Sequence, residues 1–451
     1  METAVVVGGG IAGLLSSILL KEKYEQVFLV ERGPECGGLL RSFENKDGVS
    51  FDLGTHVLKE TGIAPLDELL FSNLQSDEWS TLDYLKVGNY FEGKLNKNSQ
   101  FINTKDMPTE LYQKGLVELL HTKPITEPPH HLQEYLVQYF GETFTQHIFK
   151  PLMEKLQGAS LEELHHTAHI LFGYSRLIGG DAQTSRELKT SPFYDGKLAF
   201  ASYLEGSSHL KNFYPRTGGI GKWVHSLEKV ATERGVTILT SESVEVITRE
   251  NRHAREIVLQ SGKKLACDML VWTIAPFLLL KSSGIQMESK VPQFRRMSLH
   301  HYVFDRPFQT DNYYLYCNDP KMKSFRVTLY PNMRHEEQAN ATFNCTVEAF
   351  IQPDDTLQEL DEQLANELRK MGIIDQDAQM LTVDSSFVPA GFPVLTKEYV
   401  ELLQSHNTMV AQSFDNVVLL GKGNGSTFFM NDVLIEAFHT ITKQLDTPHL
   451  P

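Results

Sequence analysis

The stretch Ala4-Val5-Val6-Val7-Gly8-Gly9-Gly10-Ile11-Ala12-Gly13 decides the fold of this chain. Four apolar residues in a row predict a strand buried on both faces of a parallel sheet. The G-x-G-x-x-G turn that follows opens an apolar helical run over residues 14–21. Val27-Phe28-Leu29-Val30 predicts a second buried strand, closed by Glu31. Strand, glycine turn, helix, strand and acid within about 30 residues is the layout of a dinucleotide-binding unit. Gly8 permits the tight turn, Gly10 lets backbone approach a pyrophosphate, and Gly13 lets helix and strand pack closely. The helix N-terminus at Ile11 and Ala12 offers unpaired N–H groups and a positive dipole end to the phosphates. Glu31 is placed to accept hydrogen bonds from ribose hydroxyls. Arg32 follows it, but a carboxylate at Glu31 would repel a 2′-phosphate, which disfavours NADP. The unit alone leaves FAD and NAD both open.

The next residues narrow that choice. Cys36-Gly37-Gly38-Leu39-Leu40-Arg41-Ser42 follows directly, then Phe51-Asp52-Leu53-Gly54-Thr55-His56. A Gly-Gly pair just after the ribose acid resembles the second FAD motif of the flavin-dependent amine oxidase superfamily. That group includes protoporphyrinogen oxidases, phytoene-type desaturases and UDP-galactopyranose mutases. Its pattern is GG-R-x-x-S/T; here Leu39 stands at the arginine position and Arg41 lies two residues on. The resemblance makes Gly37, Gly38, Leu39 and Arg41 cofactor contacts, with Arg41 neutralising phosphate charge. Gly54-Thr55-His56 resembles the G-x-H segment beside the flavin, so His56 is expected to line the active site.

Later segments carry the same resemblance. Tyr214-Pro215-Arg216-Thr217-Gly218-Gly219 matches the turn that returns to the FAD domain, and the Val244 backbone is expected at the adenine. Residues 268–276 resemble the strand and turn that close the sheet. Asn416-Val417-Val418-Leu419-Leu420-Gly421-Lys422-Gly423-Asn424-Gly425 resembles the C-terminal flavin segment. There Gly421, Gly425, Met430 and Asn431 would contact the cofactor, and a helix N-terminus would stabilise charge on the reduced ring. Lys422 replaces the arginine usual in the family, and Met430-Asn431-Asp432 replaces Asn-Met-Asp.

The resemblance implies an α/β fold with a Rossmann-type FAD-binding domain and a discontinuous α+β substrate domain. The expected division is 1–58, 210–290 and 385–451 for the first, and 59–209 and 291–384 for the second. Residues 132–149 show helical spacing, with Leu136, Tyr139, Phe140, Phe144 and Ile148 near one face and Pro151 expected to end the helix. Residues 323–330 alternate like a strand, which would place Arg326, Thr328 and Tyr330 on one face. Asn344 begins a second alternating strand. These strands resemble the paired strands of the mutase branch, so Arg326 and Tyr330 join His56 as catalytic candidates. Arg176, Tyr313 and Tyr314 are candidates for an anionic substrate. His165, His166 and His169 are read as a solvated helix end rather than a metal site.

Composition sets outer limits. Of 451 residues, 41% are hydrophobic and 22% charged, as in ordinary globular chains. The net charge of −15 argues against nucleic-acid or anionic-membrane partners. Four scattered cysteines fit a reducing compartment, and Glu2 with the glycines of residues 8–13 argues against an export signal. A cytoplasmic protein acting on a small-molecule substrate is expected, with an anionic substrate as one candidate. The sequons at Asn340, Asn344 and Asn424 read as chance matches. The function expected from the resemblance is an FAD-dependent oxidoreductase taking hydride at flavin N5. A redox-neutral UDP-galactopyranose mutase-like isomerase and an inactive flavin-binding protein remain as alternatives.

Overall fold

A computed structural model describes all residues except 1, 289, 291, 336–341 and 447–451, and gives backbone only at 389 and 390. The sequon at Asn340 lies outside the described residues.

The Thr3–Val7 strand is fully buried, as its composition demands. It stands at the centre of a five-stranded parallel sheet. The order is Val236–Leu239, Gln26–Val30, Thr3–Val7, Met269–Trp272, Val417–Leu419. Strand periodicity divides its side chains between two cores. Ala4, Val6, Met269 and Val271 pack under the helices Ile11–Leu20, Gly221–Glu233 and Met430–Asp446. Val5, Val7, Leu270 and Trp272 pack on the other side. That side is closed by the helices Pro276–Ser282 and Lys397–Ser413 and the antiparallel sheet Val244–Glu250, His253–Leu259, Lys264–Ala266.

A second, seven-stranded sheet has the order Met380–Pro393, Phe294–Phe304, Phe343–Phe350, Ser324–Leu329, Tyr314–Cys317, Val87–Phe91, Lys94–Asn96. It is antiparallel except between Tyr314–Cys317 and Val87–Phe91. The strand Met380–Pro393 runs across the expected boundary at residue 385. Its backbone pairs with Phe294–Phe304 as far as Pro393, so residues 385–393 belong with the large sheet.

The single helix expected over residues 132–149 is broken. Leu132–Phe140 stops at Gly141, whose φ of +89° suits glycine and whose Cβ would stand 2.6 Å from Glu118 Cβ. The chain then continues through a π-helical turn into Lys150–Gln157. Pro151 does not end this helix. It sits in the first turn, where no intrahelical N–H bond is lost. Leu136, Phe140, Phe144 and Ile148 are fully buried in a core beneath the helical region. His169 is buried and stacked on Tyr135 rather than solvated. Among the described residues no helix is long and apolar enough to cross a membrane.

Close packing at the first turn explains why glycine is needed there. A Cβ on Gly13 would stand 1.9 Å from the Gly8 carbonyl oxygen. Gly8 has φ +104°, and a Cβ there would strike Thr273 Oγ1 at 2.3 Å. Gly13→Val should therefore cost on the order of 3 kcal/mol or more by overpacking. Thermal unfolding followed by circular dichroism checks this, and an unchanged midpoint would refute the packing argument.

Candidate active site

The first glycine turn forms a cradle. The amide of Gly9 donates to Glu31 Oε2 at 2.6 Å, and Gly33 N–H donates to Glu31 Oε1 at 2.6 Å. These bonds fix the acid beside the turn. Gly37 N–H donates to Gly9 O at 2.8 Å, and a Cβ on Gly38 would lie 3.4 Å from Gly10 Cα. The second glycine pair is thus stacked on the first. Gly10 differs from Gly8 and Gly13: nothing lies within 4 Å of its Cβ direction. The first bond of the helix is Leu14 N–H to Gly10 O, so the amides of Ile11, Ala12 and Gly13 precede the ladder. Space, free amides and a dipole end coincide, as a dinucleotide pyrophosphate requires.

The other predicted contacts fall into two groups. Gly421, with φ +78°, packs beside Ala12 and Thr273. Gly425 caps the following turn, and Asn431 Nδ2 donates to the carbonyls of Lys59 and Glu60 at 3.2 and 3.1 Å. Met430 packs against the core under the first helix. Arg41 Nε donates to Gly38 O at 3.1 Å, and Leu39 is 57% exposed. Arg32 is exposed on the surface. Val244 pairs with Leu259, just past the loop where Glu242 N–H donates to Glu31 O.

The catalytic candidates separate. Arg326 and Glu348 are direct partners on neighbouring strands. Arg326 Nε and Nη2 donate to the two Glu348 oxygens at 2.7 and 2.8 Å, with the side chains 18% and 4% exposed. Thr55 donates to Glu348 Oε1 through both N–H and O–H at 3.1 Å, and its hydroxyl also meets Thr328 Oγ1. Desolvation alone would raise the Glu348 pKa, but Arg326 outweighs it and holds the carboxyl below its usual range. His56 lies against the same group. A Cβ on Gly54 would stand 3.5 Å from His56 Nε2 and 3.8 Å from Glu348 Oε2. Burial first, then the charges of Arg326 and Lys422, push His56 down to about 3, so its ring is neutral at pH 7. His56 Nε2 is buried and without a hydrogen-bond partner among the described residues.

Tyr330 does not join them. The strand ends at Leu329, and Tyr330 opens the helix Tyr330–Arg334 with Pro331 in its first turn. Its hydroxyl lies 2.6 Å from Thr346 Oγ1 and accepts from Asp52 N–H at 3.0 Å. It belongs to a buried polar network in which Asp52 also accepts from Ser42, Tyr214 and the Ile220 amide. Arg176 is held elsewhere, with Nε donating to Asp195 O. Tyr313 is buried in the core with Phe51 and Tyr330.

Residues that sequence reasoning did not select complete the site. Glu348 is one; its signal was the alternation of Asn344, Thr346 and Glu348 within an otherwise apolar strand. Tyr316 is another; it stands near Arg326, with its ring centroid 5.9 Å from that of Tyr314, which was already a substrate candidate. Tyr174 is 6.3 Å from Tyr316 and bonds Asn318 at 2.5 Å. Lys155 is buried and donates to Cys317 O, Asp319 O and Ser324 O at 2.8 to 2.9 Å. It ties down the hairpin that carries Tyr316 and Arg326. Lys422 has neither ion pair nor hydrogen bond among the described residues. Burial and the nearby Arg326 charge lower its pKa.

Two measurements test this electrostatic picture. Glu348→Ala leaves Arg326 buried and unpaired, which should cost about 3–5 kcal/mol in urea unfolding. A loss below about 1 kcal/mol would place the pair in water-like surroundings. His169 and His301 are 4% and 2% exposed, and burial lowers them to about 4 and about 3. Below pH 6.5 the unfolded chain takes up protons that the folded chain refuses. Each histidine should then remove about 1.4 kcal/mol of stability per pH unit, down to its folded value, and contribute nothing above pH 7. His301→Asn should flatten that slope, and an unchanged slope would refute the assignment.

The chain resembles known proteins in this architecture. Residues 6–69 match the family described as an NAD(P)-binding Rossmann-like domain. A 4,4'-diaponeurosporene oxygenase of Staphylococcus aureus is 24% identical over 306 residues. That alignment takes in 59% of this chain and 54% of the relative, so the chain spans about half the relative's length. Reduced UDP-galactopyranose mutase superposes with a TM-score of 0.78 at 16% identity, covering 100% of this chain and 97% of that one. A putative protoporphyrinogen oxidase from Exiguobacterium sp. 255-15 gives 0.68 at 15% identity, with 99% of each chain covered. The matched dinucleotide unit, the similarity to the oxygenase and the shared fold are the features in which this chain resembles the flavin amine-oxidase-like superfamily.

Proposed function

We propose that the protein is an FAD-dependent oxidoreductase acting on a small organic molecule. The observation that carries this reading is the glycine cradle: Gly10 faces open space, with Gly38 beside it and Glu31 fixed at the turn. In this reading the residues 1–58, 210–290 and 394–451 hold the cofactor, and the remaining segments form the substrate side.

A bound flavin would supply a hydride-accepting ring. Glu31 keeps acceptor capacity for ribose hydroxyls beyond the two amides it already holds. The amides of Ile11, Ala12 and Gly13 would receive the phosphates. Lys422, with no hydrogen-bond or ion-pair partner among the described residues, would offset negative charge near the N-terminus of Met430–Asp446. The Arg326–Glu348 pair fixes the wall beside it. His56 stays neutral, so it adds no charge to the cleft and can accept a proton only at strongly acidic pH.

A second reading is a redox-neutral, mutase-like isomerisation. It is favoured by Lys422, which has no ion pair among the described residues, and by Tyr314 and Tyr316, all of which lie near Arg326 and would suit an anionic sugar nucleotide. Arg326 contributes less than expected to that reading, because Glu348 already occupies its fork.

The purified protein should carry a flavin absorption band, and oxygen-dependent turnover should separate the readings. Activity on nucleotide sugars that requires dithionite and gives no net oxidation would favour isomerisation instead. A flavin band without either activity would leave an inactive binding protein. Gly10→Ala should sharply reduce flavin retention while leaving stability within about 0.5 kcal/mol, because a Cβ there meets no described protein atom within 4 Å. Retained flavin would refute the cradle. Lys422→Met should lower turnover at least tenfold with flavin retained, and Lys422→Arg should restore most of it.

A further inference from the structure

A pocket of about 480 Å3 lies on the substrate side, within the range of small-molecule sites. Four of its wall residues are aromatic: Tyr84, Phe101, Phe200 and Tyr203. Three are cations: Lys59, Arg176 and Lys189. Most of its acids are already spent. Asp195 pairs with Lys189 at 2.5 Å, and Glu205 pairs with Arg186 at 3.0 Å. Asp83 is exposed. Of the cations, Lys189 is spent on Asp195, while Lys59 and Arg176 are not. Arg176 uses only Nε, so both terminal nitrogens lack a partner among the described residues. Lys59 forms no ion pair among them either.

The pocket adjoins the candidate active site on two walls. The Lys59 carbonyl accepts from Asn431, at the start of the C-terminal helix. Val87, another wall residue, pairs directly with Tyr314. A molecule seated here therefore lies beside the strand that presents the site tyrosines.

We propose that this pocket binds the anionic end of the substrate, a carboxylate or phosphate carried on a planar aromatic or conjugated body. The guanidinium fork of Arg176 matches either anion through two parallel N–H bonds. Tyr84 and Tyr203, with centroids 6.5 Å apart and tilted, offer faces to a planar body. Calling the ligand a substrate rests on the oxidoreductase reading above; its binding does not.

Titration calorimetry on the full-length protein tests the site with three probes: 2-naphthoate, 2-naphthyl phosphate and neutral 2-naphthalenemethanol. At least one anion should bind with unit stoichiometry and at least tenfold tighter than the alcohol. A preference between the two anions identifies the head group. Arg176→Met should weaken the preferred anion at least tenfold and leave the alcohol unchanged, and Arg176→Lys should recover part of the loss. Equal binding of anion and alcohol, or equal anion binding by wild type and Arg176→Met, would overturn the proposal. Flavin content, measured on the same samples, separates this outcome from failure of the cofactor reading: an apoprotein that still binds naphthoate through Arg176 would keep the pocket and lose the flavoenzyme.

Discussion

Glu348, buried and paired with Arg326, links the large sheet to the segment that follows the dinucleotide turn through its bonds to Thr55. Two ions removed from water cost several kcal/mol each, and attraction repays that only when the remaining lone pairs are used. Here both carboxylate oxygens meet the guanidinium fork, and Thr55 supplies two further donors to one of them. Thr55 comes from the segment that follows the dinucleotide turn; Arg326 and Glu348 come from the large sheet. The pair therefore fixes where the large sheet stands relative to the Gly54-Thr55-His56 segment. It also shapes the charge around it: Glu348 neutralises Arg326, while burial keeps His56 uncharged.

The second constraint is steric. Gly8 and Gly13 are required because backbone and Thr273 occupy the space a side chain would need. Gly10 has no such neighbour, so packing does not account for its lack of a side chain. The helix-to-sheet distance set by Gly13 places the free amides of the first turn at the end of the central strand, where parallel sheets hold their ligands.

Much of this was legible in the chain. The run 4–7 is buried on both faces, and an uninterrupted apolar run has few other stable places to go. Glu31, Gly37 and Gly38 lie where the motif puts them, because a turn that short leaves little freedom. Tyr330 was misplaced because alternation alone does not reveal where a strand stops; Pro331 favoured a helical turn one residue earlier than the pattern required. Pro151 was misjudged for the converse reason, since a proline in a first turn starts a helix as readily as it ends one. The histidines at 165–169 looked solvated because a polar sequence gives no sign that Tyr135 stacks on one of them.

By itself the sequence determined the parallel sheet, the glycine turn and the acid beside it. The glycine turn, the acid and the first pair of parallel strands depend on contacts within a few dozen residues, and local spacing encodes them; the remaining strands join the sheet from distant parts of the chain. Tertiary structure alone decided that Glu348 consumes Arg326, that Lys422 stands free and that Lys155 anchors the hairpin behind them. Each of these joins residues far apart in the chain through strand register and packing. Register is a property of two strands together, and neither strand's sequence states it alone.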